Sequence, residues 1–315
     1  MPVMSLPEIS SCPGERGICR CCGAPVDTVV ANTDGGDYLR CYICGLESQI
    51  VATTLTDQFE SAQSEFFGVT SVFLGSTLDR LYKERIVRRL KVIRKYLPGG
   101  RVLEVGPGAG FFLQALDESG YRVDAVEHSP ALSDAIRARY GFRVWTGEFE
   151  KLDFDETLYD AYMSFHVLEH VPQVELHLRK AAAIVKQGGL AFIATPNAGS
   201  FEHKLLRRHS PNYSAAHLNL FTADSLSRLL SSCGWEMIDA LTPSYTEAHL
   251  RVITSCIRAA RRRDRRAKRG EYVSAVSGPR AERLIAVAQA LSAPIRFIQG
   301  RVKRGNELLI VARLR

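Results

Sequence analysis

Six of the chain's eight cysteines lie before residue 45, and four of them are spaced to hold a metal. Cys19-x-x-Cys22 and Cys41-x-x-Cys44 are separated by 18 residues, inside the window of about 15–20 used by zinc sites built from two such pairs. Two tight turns supply two thiolates each. Four thiolates close a tetrahedral shell and leave no open position, so the metal would be structural. Gly23 and Gly45 follow the pairs and let the backbone turn its N–H groups toward sulfur. Cys21 is out of register and is expected to be a bystander, with Cys21 in place of Cys22 as the alternative assignment. Cys12 is expected to be unrelated. Disulfides are the competing use of these thiols, disfavoured in the reducing compartment to which the chain is assigned.

A second chemical signal is VLEVGPGAGFFL at 102–113. An apolar strand runs into Gly106, Gly108 and Gly110. The dinucleotide fingerprint G-x-G-x-x-G needs its third glycine one residue later, and the P-loop needs a Lys-Ser/Thr that is absent here. What remains is a turn whose backbone comes close to a ligand, followed by a helix N-terminus. Glu127 ends the next strand, 21 residues after Gly106, where a carboxylate can accept hydrogen bonds from both hydroxyls of a ribose. The ligand therefore has a ribose, and the turn is not required to clamp a pyrophosphate.

Histidine concentrates in two places. In SFHVLEHV (164–171), His166, Glu169 and His170 share one face if the segment is helical, and such a trio can bind a divalent metal. In 196–222, a long polar stretch, lie His203, His209, Tyr213 and His217. Loops of that length over a ligand crevice carry function. His203 and His209, beside Lys204, Arg207 and Arg208, can contact an acidic substrate.

These groups need positioning, and the pattern supplies it. Residues 78–97 form an amphipathic helix ended by Pro98-Gly99-Gly100. From 101 onward strands at 101–106, 121–126, 142–145, 159–165 and 189–195 alternate with helices at 109–119, 130–140 and 173–185. A helix at 222–233, a strand at 235–241 and a final strand at 307–315 follow. Alternation of this kind means parallel βαβ units. Between 245 and 304 lies an insertion expected as two helices, 246–268 and 279–299. The expected division is a zinc ribbon over 1–51, a helical linker or cap over 52–98, and an α/β domain over 99–315 carrying that insertion.

At 315 residues and 46% hydrophobic, the chain can bury a proper core. No apolar stretch approaches the ~18 residues of a membrane span, and residues 1–17 lack the basic and apolar regions of a signal peptide, so a cytoplasmic protein is expected. Segment 258–269, RAARRRDRRAKR, holds eight Arg or Lys against one Asp, which equals the chain's whole formal charge of +7. One basic patch on a neutral body suits RNA, an anionic membrane face or an acidic polymer, or is a solvated helix end.

Taken in order, VLEVGPGAG, VEHSP, YDAYMSFHVLEHV and GGLAFIATPN resemble the successive motifs of class I S-adenosylmethionine-dependent methyltransferases. The likeness is to ubiquinone-biosynthesis-type O-methyltransferases and to zinc-ribbon methyltransferases of bacterial sugars and polysaccharides. It covers roughly 78–245 and the last strand. It implies a Rossmann-like seven-stranded α/β methyltransferase sheet with an N-terminal zinc ribbon and a helical insertion before the last strand. Gly106, Gly108 and Gly110 would border the methionine part of S-adenosylmethionine, Glu104 would support the loop and the methionine amine, and Glu127 would hold the ribose. Glu148 would sit near the adenine amine, Phe149 would pack on the ring, and His166 would line the cofactor pocket.

Methyl transfer from a sulfonium needs alignment, and an oxygen acceptor also needs its proton removed, a task suited to histidine. His217, before LNLFT, matches a family position and is expected as base or substrate contact, or as a brace of the turn before Thr222, an N-cap. His166 and His170 are the other catalytic candidates. Relatives carry an E-x-x-E-H metal cluster at 166–170. His166 replaces its first Glu, so the only metal expected is the structural zinc. The expected acceptor is a hydroxyl of a sugar, glycan precursor or small metabolite. Carbon methylation of a nucleotide sugar and RNA methylation are the alternatives. Nucleic acid ranks lower because the ribbon segment is not basic. Peripheral membrane contact through 245–304 is compatible with either small-molecule reading.

Overall fold

The structure is a computed structural model that describes residues 17–33, 36–50, 76–154, 158–246 and 279–315. Cys12, the basic segment 258–269 and nearly all of the first expected insertion helix lie outside the described residues. A seven-stranded sheet runs in the order β12–β13–β10–β9–β6–β7–β8. Its strands are β6 (Arg101–Val105), β7 (Arg122–Glu127), β8 (Arg143–Thr146), β9 (Tyr159–Phe165), β10 (Val185–Pro196), β12 (Trp235–Leu241) and β13 (Glu307–Leu314). Pairings from β8 through β7, β6 and β9 to β10 are parallel. β13 inserts antiparallel to both β10 and β12, so the sheet is mixed rather than wholly parallel.

The core strands alternate their side chains between two buried faces. Leu103, Tyr162, Ile193 and Ile310 face helices α4 (Val174–Ile184) and α6 (Ala223–Ser232). Val102, Met163, Phe192 and Val311 face α1 (Ser76–Tyr96), α2 (Phe111–Asp117) and α3 (Pro130–Tyr140). The expected helix over 130–140 is there, with Ser129 as N-cap, Pro130 at the first turn and Gly141 in a left-handed C-cap, each suited to its place. Thr222 caps α6 in a capping box with Ser225.

Chain order reverses between β6 and β9. The chain winds outward through β7 and β8, then returns to lay β9 on the other side of β6. That reversal opens a crevice at the carboxyl ends of β6 and β9. The glycine turn and the His166 turn are the two segments that leave the sheet there.

The cysteine-bearing residues form a two-stranded ribbon, β1 (Gly17–Ile18) with β2 (Pro25–Val26). They also form a sheet of β3 (Val29–Thr33), β4 (Gly36–Arg40) and β5 (Glu47–Ile50). The fourth strand of that sheet is β11 (Asn219–Leu220), donated from the stretch after β10. The stretch read from sequence as a long loop therefore contains a short helix, α5 (Phe201–Leu206), and that donated strand. The second insertion helix is α7 (Pro279–Arg301). It touches α1 through Arg296 Nη1, 2.6 Å from Glu84 Oε1.

Candidate functional site

At the end of β6 the three glycines have φ values of +72°, +58° and +79°, a region that disfavours any side chain. A Cβ on Gly106 would lie 2.5 Å from Val167 Cγ2, so the glycine turn and the turn after β9 are in direct contact. A Cβ on Gly108 would meet nothing within 4 Å, which leaves that face of the turn open. Glu127 reaches this turn: Oε2 accepts the Gly108 N–H at 3.1 Å and Oε1 accepts the Ser129 N–H at 3.0 Å. Each oxygen keeps a further lone pair for a ribose hydroxyl. Burial pushes the Glu127 carboxyl up, against those two amide hydrogen bonds.

Glu104 lies beneath the turn, buried, with Oε2 lacking any partner. Burial drives its pKa up to about 8; Arg89 opposes the rise and Glu127 adds to it. An orphaned acid in a cradle of glycines fits a ligand that ends in an ammonium group, because the cation would satisfy the carboxylate. The residues at β6 and β7 thus suit the methionine and ribose parts of the adenosyl ligand. Glu148 is exposed and pairs with Lys151 at 2.8 Å. Phe149 is buried against Phe154, Tyr162 and His177. Its ring belongs to the core, so it offers no open face to an adenine; this departs from the expected stacking.

After β9, His166 adopts φ +61°, a strained setting for a non-glycine residue. Its ring is held at both nitrogens: Nδ1 lies 3.1 Å from Glu169 Oε1 and Nε2 lies 2.8 Å from Glu307 Oε2. Burial works against its charge, yet the two carboxylates outweigh burial and raise its pKa. With both ring nitrogens engaged by carboxylate oxygens, neither is turned toward an incoming hydroxyl. That argues against the expected role of His166 as a base. The ring bridges the two acids. Arg89 of α1 reinforces the arrangement, with Nη2 3.0 Å from Glu307 Oε2.

Glu169 is buried and also accepts from Thr195 Oγ1 at 3.0 Å. Burial would raise its pKa, but His166, His170 and His217 hold it down at about 2. His170 donates Nδ1–H to the Ala216 carbonyl at 2.7 Å, and His217 donates Nδ1–H to the Asn212 carbonyl at 2.7 Å. Each bond sets the tautomer and leaves Nε2 with its lone pair. Burial, with His170 beside it, lowers the His217 pKa to about 4, so its ring is neutral at neutral pH. Ligand atoms of Glu169, His170 and His217 all lie within 4.8 Å of one another. One carboxylate and two imidazoles suit a divalent cation.

The other cluster is Cys19, Cys22, Cys41 and Cys44, whose sulfurs are also mutually within 4.8 Å, with Cys19–Cys44 at 3.6 Å and Cys22–Cys41 at 3.5 Å. No described cysteine is in a disulfide. Cys21 Sγ turns away to the Ser225 carbonyl at 3.2 Å. Gly23 and Gly45 have φ +69° and +78°, as the knuckle turns require. Of the remaining sequence candidates, His203 is buried, 2.9 Å from Glu47 Oε2, and has no open face for substrate. Glu307, Arg89, Tyr38 and Glu47 belong to no recognisable motif, and nothing local in the sequence singles them out.

Glu104 supplies a test of the cofactor cradle. In the free protein its carboxyl is protonated below about pH 8. A cationic ligand lowers that pKa, so binding of S-adenosylhomocysteine at neutral pH releases a proton, and affinity climbs as pH rises toward that value. Calorimetry in buffers of different ionisation enthalpy reads the release, and Glu104→Gln abolishes it. Proton-neutral binding by the wild type would count against the assignment.

Comparison with known proteins bears on the whole arrangement. A family model described as "Methyltransferase domain" matches residues 75–240. Ubiquinone biosynthesis O-methyltransferase from Methylocella silvestris is 30% identical over 136 residues, 41% of this chain and 52% of that protein. Its counterpart from Xanthomonas campestris is 30% identical over 165 residues, 50% of this chain and 63% of that one. The chain thus spans between half and two-thirds of the length of these curated relatives. Among solved structures, a chain from the Haloferax volcanii complex of a Trm112 methyltransferase activator with a methyltransferase superposes with a TM-score of 0.50 at 17% identity. That alignment covers 79% of this chain and 97% of that one, and it supports the fold. With the family model spanning more than half its length and the seven-stranded sheet in place, this chain belongs to the class I S-adenosylmethionine-dependent methyltransferases.

Proposed function

We propose that the protein transfers a methyl group to a hydroxyl of a small metabolite, sugar or glycan precursor, with Glu169, His170 and His217 holding a divalent cation at the acceptor site. The observation that carries this reading is the meeting of those three ligand atoms within 4.8 Å, next to the glycine turn through the Val167–Gly106 contact. The relatives named as O-methyltransferases support an oxygen acceptor. A neutral His217 with a pKa of about 4 is a poor base at neutral pH but a ready ligand. His166 stands where relatives carry a carboxylate, which by itself speaks against a second metal. In this arrangement His166 instead braces Glu169 from behind.

S-adenosylmethionine supplies an already activated methyl group on sulfur. Glu104 and the glycine turn would hold its amino-acid end, Glu127 would hold the ribose, and Glu148 would lie on the adenine side. A divalent cation at Glu169, His170 and His217 would lower the pKa of a bound hydroxyl. His166 and Thr195 keep the Glu169 carboxylate ionised and oriented, and the Ala216 and Asn212 carbonyls keep both imidazoles turned with Nε2 inward. We assign the four cysteines to structural zinc, closing a ribbon formed by the described residues 17–33 and 36–50 that stands against the catalytic domain.

A membrane-facing role for the insertion rests on Leu291, Ile295, Ile298 and Val302. All are exposed along one face of α7 and its C-terminal end, and Arg301, Lys303 and Arg304 lie beside them. Apolar positions flanked by cations suit an anionic bilayer surface. Among the described residues no helix is long and apolar enough to cross a membrane.

Three measurements test these assignments. With labelled S-adenosylmethionine, Mg²⁺ or Mn²⁺, and a panel of catechols, hydroxybenzoates and hexoses, methyl is expected on oxygen. Glu169→Gln and His217→Ala should each slow turnover by about 100-fold while S-adenosylhomocysteine still binds; methylated carbon or nitrogen, or undiminished variants, would defeat the proposal. Elemental analysis should find stoichiometric zinc that disappears in Cys41→Ser/Cys44→Ser, and a zinc-free folded wild type rules the ribbon out. Vesicles containing phosphatidylglycerol should float with the wild type but not with Leu291→Asp/Ile298→Asp; equal flotation removes α7 from the membrane contact.

A further inference from the structure

The segment from Asn212 to Leu220 carries His217 between two walls. One wall is the turn after β9: the Leu218 N–H donates to the Glu169 carbonyl at 2.6 Å, and Asn219 Nδ2 donates to the Val171 carbonyl at 2.9 Å. The other wall is the cysteine-bearing sheet. The Gln49 N–H donates to the Leu218 carbonyl at 2.9 Å, and β5 pairs with β11 through Ser48–Asn219 and Glu47–Leu220.

Tyr38, fully buried in β4, bonds the backbone of His217 itself. Its single hydroxyl proton is shared between the Ser214 carbonyl at 2.9 Å and the carbonyl of His217 itself, while its oxygen accepts the Ser214 N–H at 3.4 Å. The hydroxyl therefore spans the two ends of the turn that presents His217. Glu47 holds the start of the same segment. Its Oε2 accepts from Tyr213 Oη at 2.7 Å and lies 2.9 Å from His203 Nε2, whose Nδ1 meets Ser210 Oγ at 2.7 Å. The Tyr213 ring packs edge-on against Tyr38 at 4.8 Å between centroids. Several backbone carbonyls of this half-buried loop find their donors in a unit far away in the chain.

We infer that Tyr38 is a positioning residue for His217: through it the cysteine-rich unit fixes the loop whose Asn212 carbonyl selects the His217 tautomer, so the integrity of the cysteine cluster and the readiness of the transfer site are linked. The inference builds on the reading of His217 as a group of the acceptor site. It gives the cysteine unit a function beyond its own folding, because the catalytic domain's loop is left without one of its two walls when that unit is gone.

The test uses the full chain with Tyr38→Phe, which removes one hydroxyl at nearly constant shape, and Tyr213→Phe as a second variant in case the first does not fold. Hydrogen exchange of residues 212–219 is expected to quicken about tenfold, since local opening there loses a buried hydrogen-bond anchor. Nitrogen-15 spectra of the His217 ring should change from one Nδ1–H tautomer to a mixture. S-adenosylhomocysteine affinity should stay within about twofold, because the glycine turn is untouched. Unchanged exchange would overturn the proposal. So would faster exchange with a single tautomer retained, which would mean that Tyr38 braces the loop without setting the imidazole. Neither readout needs an acceptor, so failure to methylate any hydroxyl would sink the proposed function and leave this inference to be decided on its own.

Discussion

Two buried carboxylates, Glu169 and Glu307, face one imidazole, and the working end of the sheet depends on that arrangement. Glu169 comes from the turn after β9 and Glu307 begins β13, while Thr195 near the end of β10 and Arg89 in α1 complete the shell. Four elements thus converge on His166 and its two partners. Each acid is held well below its ordinary pKa despite burial, because the neighbouring histidines and, at Glu307, Arg89 outweigh the desolvation cost. Removing one partner from such a cluster strands a buried charge, typically at about 3–5 kcal/mol. Packing of β13, α1 and the β9 turn is therefore tied to the electrostatics of the site.

The same arrangement divides the labour among three histidines of similar local sequence. His166, between two acids, has its pKa raised and bridges both carboxylates. His217, beside Glu169 but buried and next to another histidine, stays neutral. Backbone carbonyls at Ala216 and Asn212 then choose which nitrogen of His170 and His217 faces the cluster. Side-chain identity alone does not distinguish a bridging ring from a metal ligand; the partners of each ring nitrogen do.

Attachment of the cysteine unit follows a related logic. Thr222, which caps α6, also donates to the Cys44 carbonyl at 3.0 Å, and β11 completes the sheet of β3, β4 and β5. The unit is joined to the methyltransferase fold through backbone pairing and buried polar contacts. The residues it grips are those that lead into and out of the His217 turn.

Much of this was legible in the residues themselves. Strand–helix alternation, the glycine turn at the end of β6 and the Thr222 cap of α6 are local or periodic signals, and the structure bears them out within a few residues. The four-cysteine spacing likewise stands in one short stretch, and the four sulfurs do converge. What only the tertiary structure decided were the long-range partners: Glu307 against His166, 141 positions apart, and Tyr38 against His217, 179 apart. No periodicity encodes such pairs. The same distant contacts explain why His166 departs from the role its motif position suggests and why Phe149 turns into the core. Sequence determines which groups are available and on which edge of the sheet they emerge; protonation state, tautomer and open face follow from the neighbours that folding brings, because each depends on local burial and charge.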